Sequence, residues 1–562
     1  MGSCMCSAWN CGESDIESAD RMTFVKRFIG ELASDGPGGI GHTDDLLKSV
    51  LFPWLFFLTF ATVLAVLTPL GEGFDEPWHF DYVQHVAQTG RVPLGHSEYL
   101  SAELDAFLRN HPQSWMVEKT APFLLSHDEY WREDSRQRDF QDRVLGELRF
   151  SGKYVEQPPL VQYEHNQPPL YYVLTAPVFA VASRFSSVPH TFIITRLWSV
   201  LLASFVIPAA FLLALAVFSN VAAANAVAFL VALFPGLYTG VVRVANDALT
   251  VPLACLVFVF LTAFLKTGNP LYFRALCVGM IAGLWTKAFF VPILAGALVA
   301  LFGHLKWKHG LVLWGVALLG CPWYVYNFAY TGSWTGLSET VRAKTSVVSS
   351  LGVLAQMDWM NVLTSARKLH IWIGNWSFLD VRTWMYQAVT WLFVLGAAGL
   401  LEGLRRRKKW RLAPVLAAYA AFLAGVAYHA TQAFQADGIS TAAGWYLTSA
   451  IPLEAVIFVA GAEMWPRRYG KWFILTMAVF EVALLAYTTM FVEVPYYSGF
   501  TSHGPSGSLM AYHPSRGDFG MMSVRLLRFT PFVPPFLPWL IFPVAIAFAL
   551  FYVKTLYHEL SV

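Results

Sequence analysis

The chain has 562 residues, of which 56% are hydrophobic and only 14% are charged. This composition excludes an ordinary soluble domain, in which about 25% of residues are charged, and the net charge of +2 gives no indication of a nucleic-acid partner. Uncharged stretches of membrane-spanning length recur along the chain. They predict an all-α, polytopic helical membrane protein with about 11–13 transmembrane helices.

The predicted elements divide into a tail, a first transmembrane module and a C-terminal set of helices. Residues 1–50 are expected to form a cytoplasmic N-terminal tail that is partly disordered. Residues 51–331 contain the first set of spans, and the loop at 71–168 lies between two of them. A second long loop covers 332–384, and the C-terminal spans occupy 385–562. The long loops are expected to carry short helices that lie along the membrane surface.

Basic residues predict the orientation of the spans. The short loops at 404–411, 466–471 and 304–309 are strongly basic, which marks them as cytoplasmic by the positive-inside rule. The long polar loops, including a third one at 493–535, then lie outside. The sequence therefore predicts an integral membrane protein whose polar residues are concentrated on the extracytoplasmic face.

The number of crossings before residue 303 has two interpretations. If every apolar segment crosses, Asp247 is cytoplasmic and Lys266 lies outside. If 169–184 enters without crossing and 275–303 is broken near Lys287, then Asp247 and Lys287 face outward and Lys266 faces inward. The second interpretation fits the charges better.

Two adjacent carboxylates, Asp75 and Glu76, follow the first span in "GEGFDEPWHF". Because Pro77 is preorganised for the first turn of a helix, the simplest role for Asp75 is to cap free N–H groups there. A second stretch, "YEHNQPPLYYVLTAP", closes the same outer loop from Tyr163 to Pro177. The two stretches share one side of the membrane, which favours a joint function.

Both stretches resemble motifs of the glycosyltransferase C superfamily, membrane enzymes that use polyprenyl-phosphate sugars. "FDEPWHF" from Phe74 is similar to the FDE-x-HF motif of protein O-mannosyltransferases and to the DEP-x-HF opening of a bacterial family of predicted membrane glycosyltransferases. "NQPPLYY" from Asn166 is similar to their HPPL-type motif. Further similar stretches follow in the family's order: "RLWSVLLA" from Arg196, "NDAL" from Asn246, "GLWTK" ending at Lys287, "PWYVYNFAYTG" from Pro322 and "GWYLTSAIP" from Gly444.

Three positions depart from the family's pattern. Tyr326 and Trp445 stand where the family usually has arginine, and Gln167 stands in place of the histidine of the HPPL-type motif. A basic contact to the donor phosphate is therefore either missing or relocated in this chain.

The resemblance implies a membrane glycosyltransferase whose catalytic module is 51–331. Such an enzyme transfers a hexosyl or pentosyl group from a polyprenyl-phosphate donor to an acceptor hydroxyl at the extracytoplasmic face, with inversion. The acceptor is a glycan, a lipid or a protein, and membrane lipids surround the enzyme. The expected location is a bacterial inner membrane, with the active site facing the periplasm or the cell exterior.

The resemblance also implies roles for individual residues. Asp75 and Glu76 are the predicted catalytic residues, with Asp75 as the general base that takes the acceptor proton. Glu76 either holds the acceptor or, with His79, binds a divalent metal, but two ligands do not define a site. The predicted substrate-binding residues are His79, His165, Gln167, Tyr171, Asp247, Lys287, Asn327 and Tyr446.

Two acids in predicted spans give an alternative. Glu454 and Glu481 lie near the middle of neighbouring spans, where charged groups are costly and usually functional or paired. They suggest a proton-coupled membrane transporter. The large outer loops, and the motifs in the family's order, favour the glycosyltransferase.

Overall fold

The structure of the protein is a computed structural model. It describes residues 30–32, 43–94, 99–116, 121, 123–156, 160–302, 307–343, 347–406, 412–530 and 532–561. Helices dominate this part of the chain, as the sequence predicts. Within it, the paired strands are β1 (Tyr99–Ser101) and β2 (Tyr154–Glu156), which run antiparallel. Of the predicted tail, the described residues 30–32 and 43–50 are helical.

The helices of the first module and its outer loop are α1 (Thr43–Leu67), α2 (Glu76–Thr89), α3 (Ala102–Asn110), α4 (His127–Tyr130), α5 (Ser135–Glu147), α6 (Leu170–Phe185), α7 (Val188–Ser204), α8 (Val206–Phe218), α9 (Val221–Leu233), α10 (Pro235–Val241), α11 (Asp247–Thr267), α12 (Pro270–Leu284), α13 (Phe290–Leu301), α14 (Trp307–Gly320) and α15 (Pro322–Thr331). The helices that follow are α16 (Ser338–Ala343), α17 (Val347–Gly352), α18 (Trp359–Ile371), α19 (Thr383–Arg405), α20 (Ala413–Asp437), α21 (Ile451–Ala462), α22 (Arg467–Tyr487), α23 (Val494–Tyr497), α24 (Asp518–Leu526) and α25 (Leu537–Glu559). Tighter 3₁₀ turns cover Glu164–Asn166, Asn375–Ser377 and Gly444–Ala450, and a π-helical turn covers Thr488–Glu493.

The described residues include eight helical stretches that are long and apolar enough to cross a membrane. Two further apolar stretches, α9 with α10 and α14 with α15, are bent by 60° and 48°. Each bend falls directly before a proline, Pro235 or Pro322, which removes a helical N–H donor. Shorter apolar helices are α6, α12 and α13. These elements account for the predicted spans of a polytopic helical bundle.

The two ends of α11 lie at opposite ends of the bundle. Asp247 begins the helix next to the outer loop that carries Asp75. At the other end, the Lys266 ammonium donates to the Leu32 carbonyl at 2.5 Å and to Ser219 Oγ at 2.9 Å. Lys266 therefore lies beside the segment that precedes the first span, as the second interpretation of the sequence requires.

Helix α6 begins and ends on the same side of the bundle. Its first residue, Leu170, donates its N–H to the Trp285 carbonyl at 2.9 Å. Directly after α6, Val188 donates to the carbonyl of Leu148 in the outer loop at 3.0 Å. Both ends of the segment 169–184 therefore lie near the outer-loop end of the bundle, which is the arrangement expected of a segment that enters without crossing. The predicted break near Lys287 is confirmed, because α12 ends at Leu284 and α13 begins at Phe290.

The three long loops meet at the same end of the bundle. His503 Nδ1, from the third loop, lies 2.8 Å from Asp128 Oδ2 in the first loop. The same ring contacts the second loop through Nε2, 3.1 Å from the Ser377 carbonyl. Together the loops form a polar cap over one end of an apolar bundle, and helix α2 lies beneath this cap.

Cysteine labelling tests which side of the membrane the polar cap faces. Glu147 is exposed in the cap, and Arg406 is exposed in a basic loop at the opposite end. We expect Glu147→Cys to react with a membrane-impermeant maleimide in intact cells, and Arg406→Cys to react only after permeabilisation. The unsubstituted protein, which has its own cysteines, gives the background. The reverse pattern would contradict the predicted orientation.

Candidate active site

The side chain of Asp75 is not the cap of helix α2. Asp75 has a positive φ of 59°, which is uncommon for a residue with a Cβ, and its side chain bonds no N–H of the helix. The backbone carbonyl does this instead, accepting from the N–H groups of Trp78 and His79 at 3.1 Å each. The carboxylate is thereby free to face a cavity.

The hydroxyl of Tyr163 donates to Asp75 Oδ1 at 2.5 Å. Burial raises the pKa of Asp75 above its usual value, although this hydrogen bond and the charges of Arg243 and Lys287 act in the opposite direction. The "FDEP" stretch and the stretch that begins at Tyr163 therefore meet at the carboxylate of Asp75. A partly buried carboxylate with a raised pKa is a stronger base than an exposed one.

Asp75 lines a cavity of about 410 Å³ at the polar end of the bundle. Acidic and basic side chains share its wall. The acids are Asp75, Glu164, Asp247 and Glu339, and the bases are Arg243, Lys287 and Arg342. Aromatic rings of Phe289, Trp376, Trp445 and Tyr446 complete much of the surface. The cavity is large enough to hold a sugar ring with a phosphate.

Two of the bases are fixed by one acid. Asp247 Oδ1 accepts from Lys287 Nζ at 2.6 Å, and Asp247 Oδ2 accepts from Arg243 Nη2 at 2.7 Å. All three side chains are less than a tenth exposed. Two positive charges and one negative charge leave this group with an excess of positive charge. It is suited to hold an anionic group beside Asp75.

Glu76 faces away from the cavity and is fully occupied. Its carboxylate forms a two-point ion pair with Arg196, with donor distances of 2.8 and 2.6 Å, and both side chains are fully buried. Oε1 also accepts from the Val244 N–H at 2.9 Å, and Oε2 accepts from the Gly73 N–H at 3.3 Å. No oxygen is left for the acceptor or the metal that the sequence suggested. Glu76 instead holds the site together.

Arg196 also fixes the end of the first span. Its guanidinium donates to the carbonyls of Ala65, Thr68 and Pro69 at 2.9, 2.7 and 2.9 Å. Nearby, a Cβ on Gly73 would lie only 2.8 Å from the Cβ of Arg243. The glycine before "FDEP" is therefore required for the close approach of Arg243 to the Asp75 loop.

Five of the eight predicted substrate-binding residues line the cavity: His79, Gln167, Asp247, Lys287 and Tyr446. His79 Nδ1 lies 2.7 Å from the Tyr172 hydroxyl, so His79 and Glu76 have different partners and do not form a metal site together. Across the described residues, no group of three or more histidine, cysteine, aspartate or glutamate side chains is placed to hold a metal ion. Burial holds the pKa of His79 well below its usual value.

The other three predicted residues support the walls. Tyr171 contacts Ser199 Oγ through its hydroxyl at 2.6 Å. His165 is buried, with its ring edge-on to Tyr82 at a centroid distance of 5.4 Å. Asn327 donates to the carbonyls of Asn166 and Thr335 at 3.0 and 3.1 Å. These contacts position the HPPL-type motif and leave the three side chains outside the cavity wall.

Sequence reasoning missed Tyr163, Glu164, Arg243 and Glu339. Tyr163 and Glu164 open the quoted "YEHNQPP" stretch but precede the part that matches the family. Arg243 stands in the apolar stretch before "NDAL", where an isolated charge is itself a signal of function. It supplies a basic side chain to the cavity wall.

An apolar groove of about 590 Å³ adjoins the polar cavity. The two share Ala288, Phe289 and Leu337 in their walls. Beyond this junction the groove runs between α13 and α20, past Ala295 and Ala421. A molecule with a polar end and a long apolar chain fits this pair of spaces.

The mid-span acids do not line a path for a substrate. Glu454 is bonded on both oxygens, to His370 Nε2 at 2.6 Å and to the Tyr419 hydroxyl at 2.9 Å. Glu481 is buried near it, and both line a cavity of only about 10 Å³. A cavity of this volume has room for about one water molecule. The structure gives no support to the transporter alternative.

No protein-family model matches the chain, and no curated protein sequence matches it. Among solved structures, it is similar to ArnT from Cupriavidus metallidurans bound to undecaprenyl phosphate, at 12% sequence identity. The match covers 91% of this chain and 77% of the ArnT chain, with a TM-score of 0.42. Similarity at this level assigns neither a ligand nor a reaction to this chain.

The ion pair of Glu76 with Arg196 gives a stability prediction. Glu76→Gln leaves a buried guanidinium without its counter-charge, so we expect the free energy of unfolding to fall by about 3–5 kcal/mol. Thermal unfolding in detergent measures the change. The control is Glu402→Gln, which removes a solvent-accessible acid paired with Arg405 and should lower the free energy of unfolding far less, because water screens this pair. Equal effects of the two variants would contradict the anchoring role.

Proposed function

We propose that this protein is an integral membrane glycosyltransferase that transfers a sugar from a polyprenyl-phosphate donor to an acceptor hydroxyl, with inversion. One observation carries the proposal. The side chain of Asp75 does not cap helix α2 and instead faces a cavity. This cavity contains the cations Arg243 and Lys287 and adjoins an apolar groove. These are the three parts that such a reaction needs: a base, a site for the departing phosphate and a site for the lipid chain.

The cationic group supplies the phosphate site. Arg243 and Lys287 are held rigidly by Asp247, so they do not have to reorganise when a phosphate binds. Arg342 lines the same cavity and adds a further positive charge. Because the negative charge on the phosphate grows as its bond to the sugar breaks, fixed cations stabilise the transition state more than the bound donor.

The apolar groove supplies the site for the polyprenyl chain. Transfer of an apolar chain from water to an apolar wall is worth about 0.8 kcal/mol per buried CH₂. The cavity and the groove share Phe289 and Leu337 in their walls, so a chain bound in the groove could carry its phosphate into the cavity. The sugar then lies deeper in the cavity, towards Asp75.

Asp75 would accept the proton of the attacking hydroxyl. The new bond joins the acceptor oxygen to the anomeric carbon while the bond from that carbon to the phosphate oxygen breaks. A phosphate leaves without protonation at neutral pH, so no general acid is needed for its departure. Attack from the Asp75 side, opposite the phosphate, inverts the anomeric centre.

The aromatic wall suits a sugar. Trp445 stacks on Phe74 at a centroid distance of 4.4 Å, and Trp376 meets Trp445 edge-on at 5.4 Å. Flat rings fixed in this way offer faces for the C–H groups of a hexose or a pentose. We extend the proposal to an acceptor that is a glycan, a lipid or a protein, and to an active site on the periplasmic or cell-exterior face.

The proposal is tested directly with purified protein in nanodiscs. We expect it to bind undecaprenyl phosphate and to release this lipid from polyprenyl-phosphate hexose or pentose when an acceptor is present. Failure to bind undecaprenyl phosphate would refute the proposed function.

Asp75→Asn separates a base from a structural carboxylate, since the amide keeps the shape and removes the basicity. We expect turnover to fall by about 10²-fold or more, with unchanged folding and unchanged binding of undecaprenyl phosphate. Asp139→Asn, at an exposed position of the polar cap, is the matched control. Wild-type turnover should also fall as the pH drops through the raised pKa of Asp75, because the base is then protonated. Near-normal turnover of Asp75→Asn would exclude it as the base.

A bulky residue in the groove tests the lipid site. Ala295→Trp fills part of the groove. We expect the affinity of this variant for undecaprenyl phosphate to fall by about 10-fold or more, because a segment of the lipid chain can no longer be buried there. Val299→Trp, one turn along the same helix and outside the groove, is the control. Equal affinities of the two variants, measured by lipid titration in nanodiscs, would place the chain elsewhere.

A further inference from the structure

Glu164 is a second acid in the cavity, and the reaction proposed above does not use it. It begins the 3₁₀ turn that follows Tyr163, and it is only 6% exposed. Its Oε2 is buried and has no hydrogen-bond partner among the described residues, and His79 Nδ1 lies 3.9 Å away. A carboxylate with a bare buried oxygen is costly, because it has lost water and gained no donor.

Asp75 and Glu164 have different surroundings within the same cavity. Asp75 accepts a short hydrogen bond from Tyr163 and is influenced by the positive charges of Arg243 and Lys287. The side chain of Glu164 accepts from Gln167, and Lys287 is the cation that acts on it. Because Lys287 is already bonded to Asp247, its effect on Glu164 is partly offset. The surroundings thus favour the charged form of Asp75 over the charged form of Glu164.

The titratable groups around Glu164 come from every element packed against it: Asp75, His79, Tyr82, Tyr163, Tyr172, Lys287, Glu339 and Tyr446. Burial raises the pKa of Glu164 most, and the negative charge of Asp75 raises it further, to about 8. Burial holds His79 neutral, so it supplies no counter-charge at neutral pH.

We propose that Glu164 carries a proton at neutral pH and donates a hydrogen bond from its carboxyl group to an oxygen of the bound sugar, beside the ionised Asp75. This inference rests on the proposed function and adds a sugar-positioning residue to it. The proton on Glu164 stays in place during the reaction, while Asp75 takes the acceptor proton. Two neighbouring carboxyl groups thereby have separate roles, because Asp75 has a hydrogen-bond donor and two cations acting on it, whereas one oxygen of Glu164 has no donor.

Infrared spectroscopy tests the protonation without any substrate. At neutral pH, the spectrum of the wild type minus that of Glu164→Gln should contain the C=O band of a protonated carboxyl. This band should give way to carboxylate bands as the pH rises through about 8. Glu147→Gln, at an exposed position of the polar cap, is the control for the loss of a carboxyl group that is in contact with water. Carboxylate bands from Glu164 at neutral pH would overturn the proposal.

The pH profile of transfer tests the hydrogen bond to the sugar. Wild-type turnover of a polyprenyl-phosphate hexose or pentose should fall at least 10-fold as the pH rises above about 8, because the donor proton is then lost. Glu164→Gln keeps an N–H donor at every pH, so its turnover should lack this fall. Glu164→Ala should lose at least 10-fold at neutral pH while binding undecaprenyl phosphate normally. A wild-type profile that stays flat above this pH would overturn the proposal, even if the variants do not fold.

Failure of this inference is distinguishable from failure of the proposed function. A wild type that does not bind undecaprenyl phosphate refutes the proposed function. Normal lipid binding with an ionised Glu164 at neutral pH refutes the role of Glu164 alone.

Discussion

The buried ion pair of Glu76 with Arg196 is the interaction on which the rest of the site depends. It joins the end of the first span, the start of α2, helix α7 and the segment that carries Arg243. An ion pair without solvent is stable only when its remaining donors and acceptors are also bonded, and here backbone groups fill those places. Since Glu76 is held in this way, its neighbour Asp75 is turned into the left-handed backbone conformation and towards the cavity.

The site is an arrangement of charged side chains that are largely buried. Asp247 keeps two cations close together, and those cations in turn influence the carboxylate of Asp75. Tyr163 adds a hydrogen bond to Asp75, whereas one buried oxygen of Glu164 has no donor among the described residues. In such surroundings fixed dipoles and charges act more strongly than in water, so the roles proposed for Asp75 and Glu164 depend on the geometry of a few side chains.

The polar cavity and the apolar groove are two adjoining environments of different polarity. The cavity is formed where the polar cap meets helix ends, and the groove is formed between the apolar helices α13 and α20. The breaks in the helices make this possible, because the chain between Leu284 and Phe290 brings Lys287 to the boundary. A lipid-linked substrate has the same division into a polar and an apolar part.

The sequence by itself determined the membrane-spanning helices and the grouping of the long loops, and it singled out the "FDEP" and "NQPPL" stretches, whose residues line one cavity. Hydrophobic length and the placement of basic residues depend only on transfer from water to lipid, which is local along the chain. It also predicted the break at Lys287, from the charges on either side. Only the tertiary structure decided which of two adjacent carboxylates faces the cavity, because that choice depends on Arg196, 120 residues from Glu76 along the chain. It likewise decided the places of Arg243 and Glu164, because burial and partners are set by packing between distant segments.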